Sequence, residues 1–165
     1  MITPEYVQTM ARYNGWQNRS LYTAASGLSA AERTQDRGAF FGSIQGTLSH
    51  LLWGDTIWMS RFDGWVPPDS DITKTASFGG DWASLVAKRR EADERILDWA
   101  TRVSTDDLSG ELSWFSGAVK REVCKPRALL ITHFFNHQTH HRGQVHAMLT
   151  AAGARPDDTD LPFME

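Results

Sequence analysis

Four long stretches of the chain show helical periodicity, and glycine- or proline-bearing segments separate them. The most regular stretch runs from Trp82 to Val103, where residues of one face recur at three- and four-residue steps, as expected for an α-helix. Asp81 precedes it as a candidate N-cap. Charged residues fill the opposite face and are expected to lie in solvent rather than to form a site: Lys88, Arg90, Glu91, Glu94 and Asp98.

The other three stretches also have recognisable ends. One begins at Thr3-Pro4, a capping residue followed by proline, and runs to about Ala25. Another runs from near Ser43 to about Phe62. The last runs from around Pro126 to Ala152, where Gly153 is suited to end a helix. Amphipathic helices of this length predict one all-α domain over residues 1–165, a four-helix bundle with long inter-helix connections.

The segments between and after these helices are less regular. Residues Leu112–Phe115 and Ala118–Val123 are candidates for a short hairpin around Ser116-Gly117. The tail closes with the apolar residues Leu161, Pro162, Phe163 and Met164, which predict that it folds back onto the helices.

Composition excludes several classes of function. The net charge is −3 and the basic residues are dispersed, which argues against a nucleic-acid-binding surface. No apolar run approaches the roughly 20 residues of a membrane span, and no signal peptide is recognisable. Cys124 is the single cysteine, so no intramolecular disulfide can form. We therefore expect a cytoplasmic globular protein with no nucleic-acid or membrane partner.

Histidines are concentrated in the last helical stretch, which carries five of the six in the chain. At about 100° per residue, His133, His137, His140 and His141 share one face, whereas His146 lies on the opposite side. Apolar residues continue that face, so burying these imidazoles there is unfavourable unless each finds a hydrogen bond or a metal ion.

The spacing of His137 and His141, one helical turn apart, lets two imidazoles converge on one ion. His50, in the second helical stretch, is the remaining histidine that can supply a third ligand. Small residues on its face, Gly46 and Gly54 among them, either leave room beside a metal or allow close helix packing. A helical histidine pair can also simply bond to backbone or water, so spacing alone leaves that alternative open.

Several motifs resemble those of the DinB/YfiT-like family of metal-binding four-helix bundles. The segment Asn136–Gln144 (NHQTHHRGQ) is similar to the motif of that family's final helix, and Gly46–Asp55 (GTLSHLLWGD) to its second-helix motif. Tyr13–Asn18 (YNGWQN) and Asp160–Pro162 (DLP) resemble its first helix and its tail. The resemblance covers nearly the whole chain.

The resemblance implies a metal site formed by His50, His137 and His141. It also implies a homodimer and, by analogy with some relatives, a thiol-dependent transferase that uses bacillithiol, mycothiol or a similar low-molecular-weight thiol. Zinc or nickel is favoured, with iron, copper or manganese as further candidates.

Two other functions stay open: metal-assisted hydrolysis, and binding of a metal or small molecule without catalysis. A zinc protease is disfavoured because Gln138 stands where such enzymes carry a glutamate. A hydrolase needs a general base, for which His133, His140 and Asp55 are candidates, although the two histidines are expected in supporting or core positions and Asp55 in a buried pair.

Other polar residues near these motifs have less specific expected roles. Gln144 shares the histidine face and is a candidate for orienting a ligand or substrate. We expect Asn14 and Asn18 to form inter-helix hydrogen bonds, and we do not expect Cys124 to act as a nucleophile.

Overall fold

The computed structural model describes residues 1–164, and the chain is mostly helical with a small two-stranded sheet. Its elements are α1 (Pro4–Ser26), α2 (Ala30–Thr34), α3 (Ile44–Phe62), α4 (Trp82–Arg102), β1 (Glu111–Ser116), β2 (Arg121–Pro126) and α5 (Arg127–Ala151), with 3-10 helices at Ile72–Ser77, Asp106–Leu108 and Leu161–Phe163. The four long helices lie where the sequence predicts them. Within residues 1–164, no helix is long and apolar enough to cross a lipid bilayer.

Side-chain caps explain where three of the long helices begin. The Thr3, Ser43 and Asp81 side chains each accept a hydrogen bond from a backbone N–H in the first turn of α1, α3 and α4. The short helix α2 starts with a capping box between Ser29 and Glu32 and was not predicted. It lies in the connection from α1 to α3.

The four long helices share one apolar core. Helix α1 packs against α4 and α5, and α3 packs against the same two helices. Val7, Leu48, Ile96 and Phe134, one from each long helix, are at most 1 % exposed. Burial of each such side chain contributes roughly 1.5–3 kcal/mol. This packing brings the histidine-bearing faces of α3 and α5 together.

A buried polar network crosses this core. The Arg89 guanidinium on α4 pairs with Asp55 on α3 at 2.6 Å and with Asp93 at 2.9 Å. The Gln138 amide on α5 donates to the other oxygen of Asp55 at 2.9 Å, and the Asn18 amide on α1 donates to Asp93 at the same distance. The prediction that Asp55 lies in a buried pair is confirmed. Because Gln138 follows His137 directly, the network also fixes the position of α5 against α3.

The hairpin forms, but its second strand is displaced from the predicted one. Strand β1 pairs antiparallel with β2, with Trp114 opposite Val123. The predicted second strand, Ala118–Val123, begins three residues before Arg121. The reason is the turn: residues 117–120 form a four-residue loop closed by the Lys120 N–H on the Ser116 carbonyl, with Lys120 at φ 54°.

The tail returns to α1 through polar contacts. The Tyr13 hydroxyl donates to the Thr159 carbonyl at 2.7 Å, and the Gln17 amide donates to the Asp158 carbonyl at 2.8 Å. Leu161 and Phe163 remain 39 % and 63 % exposed. The tail therefore folds back as predicted, but its closing apolar residues are not what holds it there.

Candidate metal centre

The structure brings His50 of α3 together with His137 and His141 of α5. One ring nitrogen of each lies within 4.8 Å of the others. The Nε2 atoms of His50 and His137 are 3.1 Å apart. Two nitrogen ligands about 2.0–2.1 Å from a tetrahedral zinc ion are separated by about 3.3 Å. The His50–His137 separation is close to this value, and the three predicted residues lie close enough together to hold one metal ion.

Close packing of α3 on α5 accounts for this spacing. A Cβ atom added at Gly54 would lie 2.9 Å from Cε1 of His137, so the missing side chain makes room for that ring. A Cβ at Gly46 would lie 2.5 Å from the Phe41 carbonyl oxygen. Of the two interpretations of these small residues, close packing is correct. The space beside them is filled by an imidazole ring and by backbone.

Hydrogen bonds at the Nδ1 atoms orient two of the imidazoles. Nδ1 of His141 lies 2.8 Å from Oε1 of Gln144, and because an amide oxygen only accepts, Nδ1 carries the proton. Nδ1 of His50 lies 3.0 Å from the Thr75 hydroxyl. With its proton on Nδ1, His141 keeps the Nε2 lone pair free for a metal, and the Thr75 hydroxyl can accept the Nδ1 proton of His50 so that its Nε2 is free in the same way.

The cluster is held in its neutral form by burial. Loss of hydration lowers the pKa of His50 to about 3, and repulsion from His141 acts in the same direction. The pKa of His137 is likewise lowered to about 3, first by burial and then by the neighbouring imidazoles. Burial also lowers the pKa of His141, while its bond to Gln144 opposes this. Neutral imidazole is the form that binds metal ions, so all three are ready as ligands near pH 7.

Aromatic side chains from the α2–α3 connection lie beside the histidine cluster. Phe41 stacks on His50 with ring centroids 3.7 Å apart and meets His141 edge-on at 5.3 Å. Its neighbour Phe40 is 85 % exposed. Sequence reasoning missed Phe41 and also Thr75. The local signal for Phe41 was an aromatic pair between glycines. Thr75 lies in the 3-10 helix Ile72–Ser77, a segment whose sequence shows no helical periodicity.

The remaining histidines of α5 lie outside the cluster. His133 and His140 are both exposed, so the expectation that their face points into protein is right for His141 but wrong for these two. His133 packs edge-on against Trp58. His140 Nε2 lies 3.2 Å from the Gln144 amide nitrogen. His133 and His140 thus border the cluster from the solvent side.

Other residues singled out from the sequence have structural contacts. Asn14 and Asn18 of α1 donate to the Asp93 carboxylate of α4 at 3.3 and 2.9 Å, which confirms their inter-helix role. Gln138 is buried in its bond to Asp55. Cys124 is exposed on β2 and lies outside the histidine cluster.

Comparison with known proteins identifies the family of this chain. The model of the DinB family matches residues 1–165. Protein DinB of Bacillus subtilis (strain 168) is 28 % identical over 170 residues, which cover 94 % of this chain and 91 % of that protein. The chain belongs to the DinB family.

Proposed function

We propose that His50, His137 and His141 hold one divalent transition metal ion and that the protein is a metal-dependent S-transferase using a low-molecular-weight thiol. The observation that carries the proposal is the 3.1 Å separation of the His50 and His137 Nε2 atoms within a cluster of neutral imidazoles. We also propose that the four long helices form a bundle of the DinB/YfiT-like type, since each packs against two of the others.

The donor set fits a transition metal. Three nitrogen donors suit zinc or nickel, with iron, copper or manganese as alternatives. Three protein ligands are typical of catalytic zinc sites, in which the fourth coordination position is left for a substrate or cofactor. Structural zinc sites usually have four protein ligands. When bound, the ion supplies a Lewis acid that lowers the pKa of a thiol beside it.

The chain's own residues position the reactants. Gln144 and Thr75 hold His141 and His50 through their Nδ1 atoms, and Phe41 shields the His50 ring from water. In the proposed transfer the thiol releases its proton to solvent. Its sulfur then forms a bond to an electrophilic carbon as the leaving group departs with the bonding electron pair. The exposed Phe40 beside the cluster offers an apolar contact for the substrate.

Metal-assisted hydrolysis is the second candidate. It requires a general base near the cluster, and the structure favours two of the three candidate residues over the third. Asp55 is 1 % exposed and bound to Arg89 and Gln138, so it cannot serve. His133 and His140 are exposed at the border of the cluster, so each remains accessible to the water molecule from which a general base takes a proton. Binding of a metal or small molecule without catalysis is the third candidate.

A thiol-conjugation assay separates these candidates. Metal-loaded protein is mixed with bacillithiol, mycothiol or glutathione and with chlorodinitrobenzene, whose chloride departs as the carbon–sulfur bond forms. We expect a metal-dependent rate that His141→Ala abolishes and His146→Ala retains, because His146 lies outside the cluster. The transferase proposal fails if no thiol and electrophile pair shows a metal-dependent rate. Metal-dependent ester hydrolysis in the same preparation would then favour the hydrolase.

We propose the cellular location, oligomeric state and partners of the protein from its sequence and its family. We propose a cytoplasmic homodimer that acts on a small molecule and has no nucleic-acid or membrane partner. The dispersed basic residues and the net charge of −3 support the absence of a nucleic-acid partner. Sedimentation equilibrium of the purified protein tests the dimer.

A further inference from the structure

A cleft of about 430 Å³ lies between α1 and α4, and none of the three clustered histidines lines it. Its volume falls within the roughly 300–1,000 Å³ of small-molecule sites. Gly15, Val86 and Leu97 give it apolar walls. Its lining also includes two polar side chains that are more than nine-tenths buried, Tyr22 at 7 % exposed and Arg89 at 3 %.

Both of these side chains have an unused hydrogen-bonding atom. Neither the Tyr22 hydroxyl nor Nε of Arg89 has a hydrogen-bond partner within residues 1–164. Nη1 of Arg89 donates to Asp55, whereas Nη2 lies 2.9 Å from Asp93 as an ion pair but likewise has no hydrogen-bond partner within residues 1–164. Leaving a buried donor unpaired is unfavourable, so these groups favour a hydrogen-bonding partner that enters the cleft, either water or a ligand.

The buried atoms of the cleft lining that lack a partner among the described residues can all donate a hydrogen bond, namely the Tyr22 hydroxyl and Nε and Nη2 of Arg89. The Asp93 carboxylate also lines the cleft, and its Oδ1 accepts from Asn14 and Asn18 and pairs with Arg89. At the exposed rim, Arg19 and Arg90 outnumber Glu94. This combination favours a ligand that carries negative charge and accepts hydrogen bonds.

We propose that the α1–α4 cleft binds a small organic carboxylate. Its oxygens accept hydrogen bonds from the Tyr22 hydroxyl and Arg89 Nε, and its apolar body lies against Val86 and Leu97. The site is separate from the histidine cluster and does not depend on the proposed transferase activity.

Calorimetric titration with benzoate, phenylacetate and hexanoate tests the site, with benzyl alcohol and benzylamine as neutral and cationic comparisons. We expect the carboxylates to bind more tightly than either comparison. Tyr22→Phe should weaken carboxylate binding about tenfold or more, because it removes one hydrogen bond to a charged group. Tyr6→Phe, which alters a tyrosine outside the cleft, should leave binding unchanged.

Two further variants locate the binding. Leu97→Trp should fill the cleft and abolish carboxylate binding, whereas His141→Ala should retain it and so exclude binding at a metal ion. The proposal is overturned if no carboxylate binds more tightly than benzylamine, or if Tyr22→Phe and Leu97→Trp both bind like the wild type. It is also overturned if carboxylates fail to bind and Leu97→Trp changes the sedimentation behaviour, since a second copy of the chain would then cover the cleft.

Discussion

Gly54 of α3 lies against the imidazole ring of His137 on α5. A Cβ atom at residue 54 would lie 2.9 Å from Cε1 of that ring, closer than Cβ atoms approach other atoms in proteins. The ring could relieve this contact only by shifting, and it lies 3.1 Å from His50 through Nε2. The absence of a side chain at residue 54 therefore sets the spacing of the candidate metal centre.

Replacing this glycine should weaken metal binding. We expect Gly54→Ala to displace His137 and to lower zinc affinity by at least about tenfold, as loss of supporting contacts does at other metal sites. Competition with a chromophoric chelator measures this. Gly143→Ala is the matched control: Gly143 is also helical, but apart from its chain neighbours and its own helix backbone no atom lies within 4 Å of an added Cβ. Equal affinities for Gly54→Ala and the wild type would show that the contact does not position His137.

The Thr75 hydroxyl should matter through His50. Thr75→Val removes the partner of His50 Nδ1 while keeping the volume, so we expect zinc affinity to fall about 10–100-fold. Thr47→Val provides the comparison, because Thr47 is also buried but its hydroxyl donates only to the Ser43 carbonyl. If both variants bind zinc like the wild type, Thr75 has no orienting role.

The neutral histidines predict how stability depends on pH in the metal-free protein. The pKa of His50 falls from 6.5 to about 3 on folding, so between those values the unfolded chain binds more protons than the native one. Stability should decline as pH falls below 6.5, by up to about 1.4 kcal/mol per pH unit for this histidine. Urea unfolding between about pH 7 and pH 5 measures the decline, and His50→Gln should show a shallower one. If stability declined equally steeply in the wild type and in His50→Gln, the lowered pKa of His50 would be contradicted.

The ion pair between Asp55 and Arg89 should stabilise the fold strongly. Asp55→Ala removes the buried carboxylate to which Arg89 Nη1 donates and leaves that charge only partly paired, so we expect a loss of about 3–5 kcal/mol in the free energy of unfolding. Asp98→Ala breaks an exposed pair with Arg102 on the same helix α4 and should change stability little. Urea denaturation compares the two. Similar small losses from both variants would mean that the buried pair is not important for stability.

The helices and the histidine cluster were predictable because their signals are local. Thr3, Ser43 and Asp81 cap their helices as expected. The one-turn spacing of His137 and His141 shows in the sequence, and His50 was the remaining histidine able to join them.

Contacts between segments far apart in sequence were not predictable in the same way. The stacking of Phe41 on His50 and the bond from His50 to Thr75 depend on how two connections fold over α3. The role of Gly54 was ambiguous because a small residue can leave a space or admit a neighbour. Only the position of α5 shows that the neighbour is His137.

The central claim is that His50, His137 and His141 hold a metal ion, and elemental analysis tests it most directly. The protein is purified without chelators or added metal and analysed by inductively coupled plasma mass spectrometry, beside His141→Ala and His146→Ala. We predict about one equivalent of a divalent transition metal per chain in the wild type and in His146→Ala, and its loss in His141→Ala. A wild-type protein that contains no stoichiometric metal and takes up none when zinc or nickel is supplied would contradict the claim.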